Sequence, residues 1–309
     1  MKLIKDFVDR DDIHGQLLVV SSNQGTTDKG KTYLNITFQD KSGTIEAKKW
    51  DVTNEDLKLL VPGSVVLVEG NVNLYQNRLQ LKVKSVEKCE RYNMADFERV
   101  SPVPIEKLLE KLEAYLNSFK DKDVEIVTRA VISEFFERYK EYPAAVKVHH
   151  EFKHGIIHHS IFMADVADAI AKIYTQVDRD LLVAGALLHD IGKTIEYENP
   201  GAPVQTTEGK LCGHIAIGYA EFKRVVDALG IKSEVPLLLE HMILAHHGSL
   251  EFGSPVMPAT REALLLSEID MLDSRQMILD KALATVNEGE FTQRLWMMDD
   301  TSFYKPRKR

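Results

Sequence analysis

The chain has 309 residues, of which 44% are hydrophobic, 28% charged and 8% aromatic, and it carries a formal net charge of −8. That length suits two ordinary domains, and the composition excludes wholesale disorder, a collagen-like repeat and a histone-like coat of phosphate-binding charge. An acidic total still leaves room for one basic groove on an acidic body. Two cysteines, Cys89 and Cys212, are too few for a disulfide framework or a zinc ribbon and fit a reducing compartment. The longest aliphatic run, residues 181–188, is closed by Asp180 and His189 and is too short to span a bilayer. The opening MKLIKDFVDRDD places acids where a signal peptide needs an apolar stretch. The expectation is a soluble, cytoplasmic protein with no membrane partner.

From residue 15 to 86 the pattern is strand-like. Leu34, Ile36 and Phe38 alternate with Tyr33, Asn35 and Thr37, the period of a half-buried strand. Turn chemistry at Asp40-Lys41-Ser42-Gly43 leads to a returning strand, and residues 15–22, 32–39, 44–50, 64–68 and 72–83 make about five strands, with Gly70-Asn71 as a break. Residues 1–90 carry 13 basic and 13 acidic side chains, so the negative charge belongs to the rest of the chain. Lys48, Lys49, Arg78, Lys82 and Lys84 lie on these strands near Tyr33, Trp50 and Tyr75. Basic residues interleaved with aromatics on a small barrel can hold single-stranded nucleic acid. The competing reading makes the aromatics core or rim residues and the lysines a solvated face.

A polar connection over residues 90–104 ends in Ser101-Pro102-Val103-Pro104, after which the period becomes helical. Residues 104–139 are amphipathic, with a face for a second subunit or for the helical remainder of the same chain, which leaves a homo-oligomer open. Helical patterning continues almost to the end, broken by loops at 196–209 and 248–258, and the chain closes on a basic tail of the kind that is usually disordered but can add phosphate affinity.

Ten of the eleven histidines fall between His149 and His247. His189-Asp190 ends the apolar run, with Gly192 as a helix stop, and an ionised Asp is expensive to bury there without a partner. A lone pair of this kind would suit a helix cap or a salt bridge. Four other apolar segments carry similar residues: His158-His159, His214 after Gly213, His246-His247, and Asp270 with Asp273 one turn on. Imidazole and carboxylate together suit borderline divalent ions such as Mn, Fe, Co or Zn, and a carboxylate between two ions can bridge them.

The order H…HD…H…HH…D resembles the HD-domain superfamily of metal-dependent phosphohydrolases. HHEFKHGIIHHS is similar to its opening motif, LLHDIGK is the strongest match, and LCGHIAIG, ILAHHGSLEFGSP and LSEIDMLDSR follow in order. With a barrel in front, nearly the whole chain resembles the YhaM family of bacterial 3′–5′ exoribonucleases. That resemblance implies a multidomain protein, an N-terminal all-β OB-fold barrel followed by an all-α HD domain. Its parts would be a nucleic-acid-binding barrel at 1–90, a linker and helical connection at 91–145, the HD phosphohydrolase domain at 146–300 and the basic tail at 301–309. It further implies two divalent ions, Mn first, with Co, Fe, Zn or Mg as alternatives. His159, His189, Asp190 and Asp270 would hold one ion, Asp190 would bridge, and His214 and His246 would complete the second site. Lys193 would neutralise a phosphate oxygen beside Asp190. Phosphate or substrate contacts are expected from His149, His150, His247 and Arg275, and strand contacts from Tyr33, Lys48, Trp50 and Tyr75.

Among the remaining residues, His154 is expected at the surface, His158 away from the ligands, His241 in a packed helix position and His14 exposed. Cys212 is expected as a small buried residue, and Asp273 as an acceptor behind the ligands or a cap. The implied activity is metal-dependent 3′–5′ cleavage of single-stranded RNA, with DNA as a second substrate, releasing nucleoside monophosphates. The alternatives are an HD-type nucleotidase or cyclic-nucleotide phosphodiesterase, and a single-strand-binding protein with a silent metal site.

Overall fold

The structure is a computed structural model that describes residues 2–27, 30–76, 78–145, 151–201 and 203–308. The chain divides into two compact units, Met1–Val100 with Glu198–Val204, and Ser101–Tyr197 with Gln205–Arg309.

The first unit is a closed five-stranded barrel. Its strands are β1 (Asp12–Thr26), β2 (Thr32–Asp40), β3 (Gly43–Trp50), β4 (Val65–Tyr75) and β5 (Arg78–Lys88), ordered β1-β2-β3-β5-β4, with a short helix α1 (Asn54–Leu59) between β3 and β4. Every pairing is antiparallel except β3 with β5, which is parallel. The alternating set Leu34, Ile36 and Phe38 points inward with Leu17, Val19, Ile45, Ala47, Val68, Val72, Leu81 and Val83. Gly70 does not break the sheet as expected. It lies within β4 at a register shift after Glu69, where an added Cβ would come within 2.5 Å of the Lys82 carbonyl oxygen. The chain instead reverses after Tyr75, whose register partner is Arg78, so residues 72–83 divide between β4 and β5.

Lys49 departs from the other strand lysines. It points inward, with Nζ 3.4 Å from Asp56 Oδ2 and donating to the Lys84 carbonyl. Asp56 is in turn the third residue of a capping box that starts α1, accepting from the Thr53 amide.

The second unit is helical: α2 (Ile105–Ser118), α3 (Lys122–Glu141), α4 (Gly155–Ile173), α5 (Arg179–Leu188), α6 (Lys193–Glu196), α7 (Thr207–Leu229), α8 (Val235–Ala245) and α9 (Arg261–Ala284). The apolar run becomes the central helix α5, buried from Asp180 to Leu188 and packed against α3, α4, α8 and α9. Asp180 is buried with partners, since its Oδ2 accepts from the Lys120 and Asp121 amides at the start of α3. The stretch expected as a loop at 196–209 contains the end of α6, a two-residue ladder of Tyr197–Glu198 against Val204–Gln205, and the first turn of α7. The closing segment is not a free tail. The Lys305 ammonium donates to the Leu283 and Val286 carbonyls at the end of α9 and holds the chain there. No helix among the described residues is long and apolar enough to cross a membrane.

Replacing Lys49 by Ala leaves the Asp56 carboxylate buried without its cation. The expected loss is about 3 kcal/mol of barrel stability, read as a lower urea midpoint with an unchanged slope.

Candidate functional site

The last four carbonyls of α5 have no partner within the helix and must find one nearby. The Gly185 carbonyl accepts from the His189 amide at 2.9 Å and that of Leu188 from the Ile191 amide at 3.0 Å. The Leu187 carbonyl accepts from the Tyr139 hydroxyl at 3.0 Å. The Ala186 carbonyl faces Nδ1 of His189 at 3.0 Å, so the ring of His189 finishes its own helix. The end of α8 repeats the device, with His246 Nδ1 2.6 Å from the Ile243 carbonyl. In both cases an acceptor on Nδ1 fixes the N–H there and turns Nε2 inward.

The other rings are set in the same sense. His159, fully buried on α4, has Nδ1 2.7 Å from Asp273 Oδ2, and its Nε2 lies 3.3 Å from Asp270 Oδ1. Both carboxylates sit on one face of α9, three residues apart. His214 has Nδ1 3.3 Å from Glu196 Oε2. It follows a kink at Gly213, where φ is 71° and ψ 156°, so α7 already starts at Thr207 and bends before His214. His247 Nδ1 lies 2.7 Å from the Phe252 carbonyl, on a turn closed by Gly253 with φ of 95°.

Asp190 lies between two sets of rings. Its Oδ2 is 3.3 Å from His189 Nε2, 3.7 Å from His159 Nε2 and 2.7 Å from Lys193 Nζ. Its Oδ1 is 3.6 Å from His214 Nε2 and 3.8 Å from His246 Nε2. The donors form two groups able to hold an ion, His159 with His189 and Asp190, and His214 with His246 and His247. Asp190 Oδ1, His214 Nε2 and His246 Nε2 are buried with no hydrogen-bond partner among the described residues. Inward lone pairs and a buried carboxylate oxygen are costly together unless a cation satisfies them, and the nitrogen–oxygen donor set suits a borderline divalent metal.

The electrostatics are those of a tightly coupled cluster. Burial works against ionising Asp190, but the charges of Lys193 and His189 outweigh it and hold the carboxyl well below its usual range. Burial opposes ionisation of Asp270 too, and the hydrogen bond and charge of His159 overcome it. For His159, burial disfavours the cation, yet bonds to Asp270 and Asp273 raise its pKa to about 9. His246 is pushed well below the ordinary imidazole value by burial and then by neighbouring His189 and His247, and His247 is lowered by burial and His214. Glu196 is lowered because His214 offsets its burial.

Thus His159, His189, Asp190, Lys193, His214, His246, His247 and Asp270 come together. Arg275 is exposed on α9, on the wall of the same cavity. His149 and His150 lie outside the described residues. His158 faces away, 3.1 Å from Ser101 Oγ. His241 is half-buried and accepts from the Ala259 amide, and His14 is exposed on β1. Three expectations are corrected. His154 is buried rather than at the surface, because it caps α4 with φ of 67° and sets its ring against the Lys140 carbonyl. Cys212 is exposed, on the outer side of α7 just before the kink. Gly192 stops no helix. It opens α6 where an added Cβ would lie 2.0 Å from the His214 carbonyl oxygen and 2.6 Å from the Gly218 nitrogen. Glu196 escaped the sequence reading, its only signal being an acid at the end of the short helix that Lys193 begins.

On the barrel, Tyr33 and Trp50 are register partners with ring centroids 5.0 Å apart, and Lys48 Nζ lies 5.2 and 5.6 Å from them. Gly25, opposite Tyr33, makes room for its ring. Trp50 is 40% exposed, so it is not a core residue. Tyr75 is exposed at the end of β4 and is not part of this stack.

A family described as the HD domain matches residues 156–275, and one described as an OB-fold nucleic acid binding domain matches residues 13–88. The class is therefore an OB-fold barrel followed by a helical HD domain. The chain is 40% identical over 293 residues to 3′-5′ exoribonuclease YhaM of Geobacillus sp. (strain WCH70), covering 94% of this chain and 90% of that protein. It is also 40% identical to 3′-5′ exoribonuclease YhaM of Bacillus subtilis (strain 168), covering 94% and 93%. The chain belongs to the YhaM family. Among solved structures, the second OB-fold domain of replication protein A from Methanococcus maripaludis is 15% identical and covers 30% of this chain, with a TM-score of 0.25, too low to carry weight.

Gly192→Ala should cost about 3 kcal/mol, because the opposing atoms are α7 backbone and cannot rotate aside. Gly43→Ala, with nothing within 4 Å of the added carbon, serves as the tolerated control in thermal unfolding.

Proposed function

We propose that this protein is a divalent-metal-dependent 3′–5′ exoribonuclease that releases nucleoside monophosphates from single-stranded RNA, with single-stranded DNA as a second substrate. The observation that carries this reading is Asp190, a buried carboxylate with one oxygen toward His159 and His189 and the other toward His214 and His246. His159, His189, Asp190 and Asp270 would hold one ion. His214 and His246 would hold the second, with Asp190 shared and His247 in reach. Mn²⁺ heads the candidates because the family resemblance implies it, followed by Co, Fe, Zn and Mg, and the imidazole and carboxylate donors are compatible with a borderline divalent ion. When bound, such ions supply Lewis acidity and positive charge at the scissile phosphodiester.

The chain's own residues do the rest. Asp273, Ala186, Glu196, Ile243 and Phe252 hold the imidazoles in orientation. Lys193 clamps one oxygen of Asp190 and lends its charge to the cavity, while Arg275 at the wall meets the phosphates of the strand. We assign strand holding to the barrel, residues 1–90, through Tyr33, Lys48 and Trp50, with Tyr75 as a further contact, and cutting to residues 146–300. Paired thiols are lacking and both cysteines are free, which fits a cytoplasmic protein.

Incubating a 5′-labelled single-stranded RNA with Mn²⁺ should yield a ladder shortening from the 3′ end. Asp190→Ala should abolish it while strand binding persists. Intact RNA alongside rapid hydrolysis of free nucleotides would replace this reading with a nucleotidase. Asp273→Ala, which frees the His159 ring, should weaken Mn²⁺ binding about 10- to 100-fold in calorimetric titration. An unchanged affinity would contradict the orienting role given to Asp273.

A further inference from the structure

The cavity beside the His and Asp cluster has a lining of mixed character. It encloses about 380 Å³, at the small end of the roughly 300–1,000 Å³ typical of small-molecule sites. Its lining combines polar groups, among them Lys193, His247, Asp270 and Arg275, with the apolar side chains of Phe252, Met271, Ile278 and Met297. The cluster chemistry uses only the polar members.

The apolar members of the lining come from three places. Phe252 comes from the turn after α8, Met271 and Ile278 from one face of α9, and Met297 from the segment that follows α9. That last segment lies beyond the HD match, which ends at residue 275. It is ordered as a hairpin: the Thr292 amide donates to the Phe303 carbonyl at 2.8 Å, that of Leu295 to Thr301 at 3.0 Å and that of Gly289 to Lys305 at 2.8 Å. Phe252 and Met297 nevertheless stay 59% and 40% exposed. An ordered segment that presents apolar side chains to a cavity, rather than burying them, is a binding surface.

A ligand that fits this lining needs an anionic group for its cationic and metal-ligating members, and a flat apolar group for its ring and thioethers. A single nucleotide has both. We propose that Phe252, Met271, Ile278 and Met297 form the pocket for the base of the 3′-terminal nucleotide, an inference that rests on the exonuclease reading above. These four side chains offer no hydrogen-bond donor and only weak thioether acceptors, so they grip a base by its face, while Ser274 and Arg275 of the same lining are placed for polar contacts. Phe252 has two separate tasks, since its backbone carbonyl holds His247 Nδ1 while its ring faces the cavity. Truncating the ring leaves the carbonyl in place.

The test compares Mn²⁺-dependent cleavage of an adenosine pentanucleotide with the same chain bearing an abasic residue at its 3′ end. Wild type should show a lower KM for the intact substrate. Phe252→Ala and Met297→Ala should each raise that KM about tenfold, toward the abasic value, with kcat within twofold, and Phe252→Trp should restore it. Trp296→Ala, on the same turn but not lining the cavity, should keep the preference. The proposal is overturned if the two alanine variants retain the wild-type preference, if wild type ignores the missing base, or if their effect coincides with loss of an oligomer in sedimentation. Should wild type leave RNA intact, the exonuclease reading fails by itself. The pocket is then read from AMP against ribose 5-phosphate in equilibrium binding. The same tenfold advantage for AMP, lost in Phe252→Ala, supports it, and equal binding overturns it.

Discussion

The orientation of a few imidazole rings is the constraint on which the second unit is built. A histidine can present either nitrogen, and the choice is made by what the other nitrogen touches. Here Nδ1 of His159, His189, His214, His246 and His247 each meets an oxygen from the surrounding structure, two of them carbonyls at the ends of α5 and α8. Helix ends need donors for their last carbonyls, and these rings provide them. The same bonds that close the helices therefore aim the Nε2 atoms at Asp190. Folding and site formation share one set of interactions, and the site is preorganised on helices and on the tight turns that close them.

The cluster also explains how anionic groups survive beneath an apolar helix. Asp190 and Asp270 are stripped of water, a cost that cations and hydrogen bonds must offset. Lys193 is tied to Asp190, and the His159 ring is flanked by carboxylates on both nitrogens. Among the buried atoms of the described residues without a hydrogen-bond partner, Asp190 Oδ1 and Nε2 of His214 and His246 converge, at the Asp190 oxygen that Lys193 does not hold. Three unpartnered ligand atoms meeting at one buried carboxylate are the expected signature of a divalent-ion site rather than of a structural salt-bridge network.

Much of this is legible in the amino-acid sequence. Strand alternation at Leu34, Ile36 and Phe38 marked the barrel, and an apolar run ending in His189-Asp190 marked a buried helix delivering ligands at its end. Asp270 and Asp273 could be read as neighbours on one helix face from their spacing. What escaped depended on contacts distant in sequence. Gly70 and Gly192 both looked like breaks, yet each serves a close approach of another backbone, to Lys82 in one case and to His214 and Gly218 in the other. Glu196 carries no local mark of its pairing with His214, and burial of His154 follows from its place under the Lys140 carbonyl. Exposure of Cys212 depends on the direction α7 takes at Gly213, which no periodicity reveals.

The central claim is that the rings are fixed through Nδ1 so that Nε2 is the ligand atom. It is tested most directly by long-range proton–nitrogen NMR of the imidazoles during titration with Zn²⁺, a diamagnetic probe. The account predicts that the Nε2 resonances of His159, His189, His214 and His246 move on saturation while each Nδ1 keeps its proton. Movement at Nδ1 instead, or rings indifferent to the ion, would contradict it.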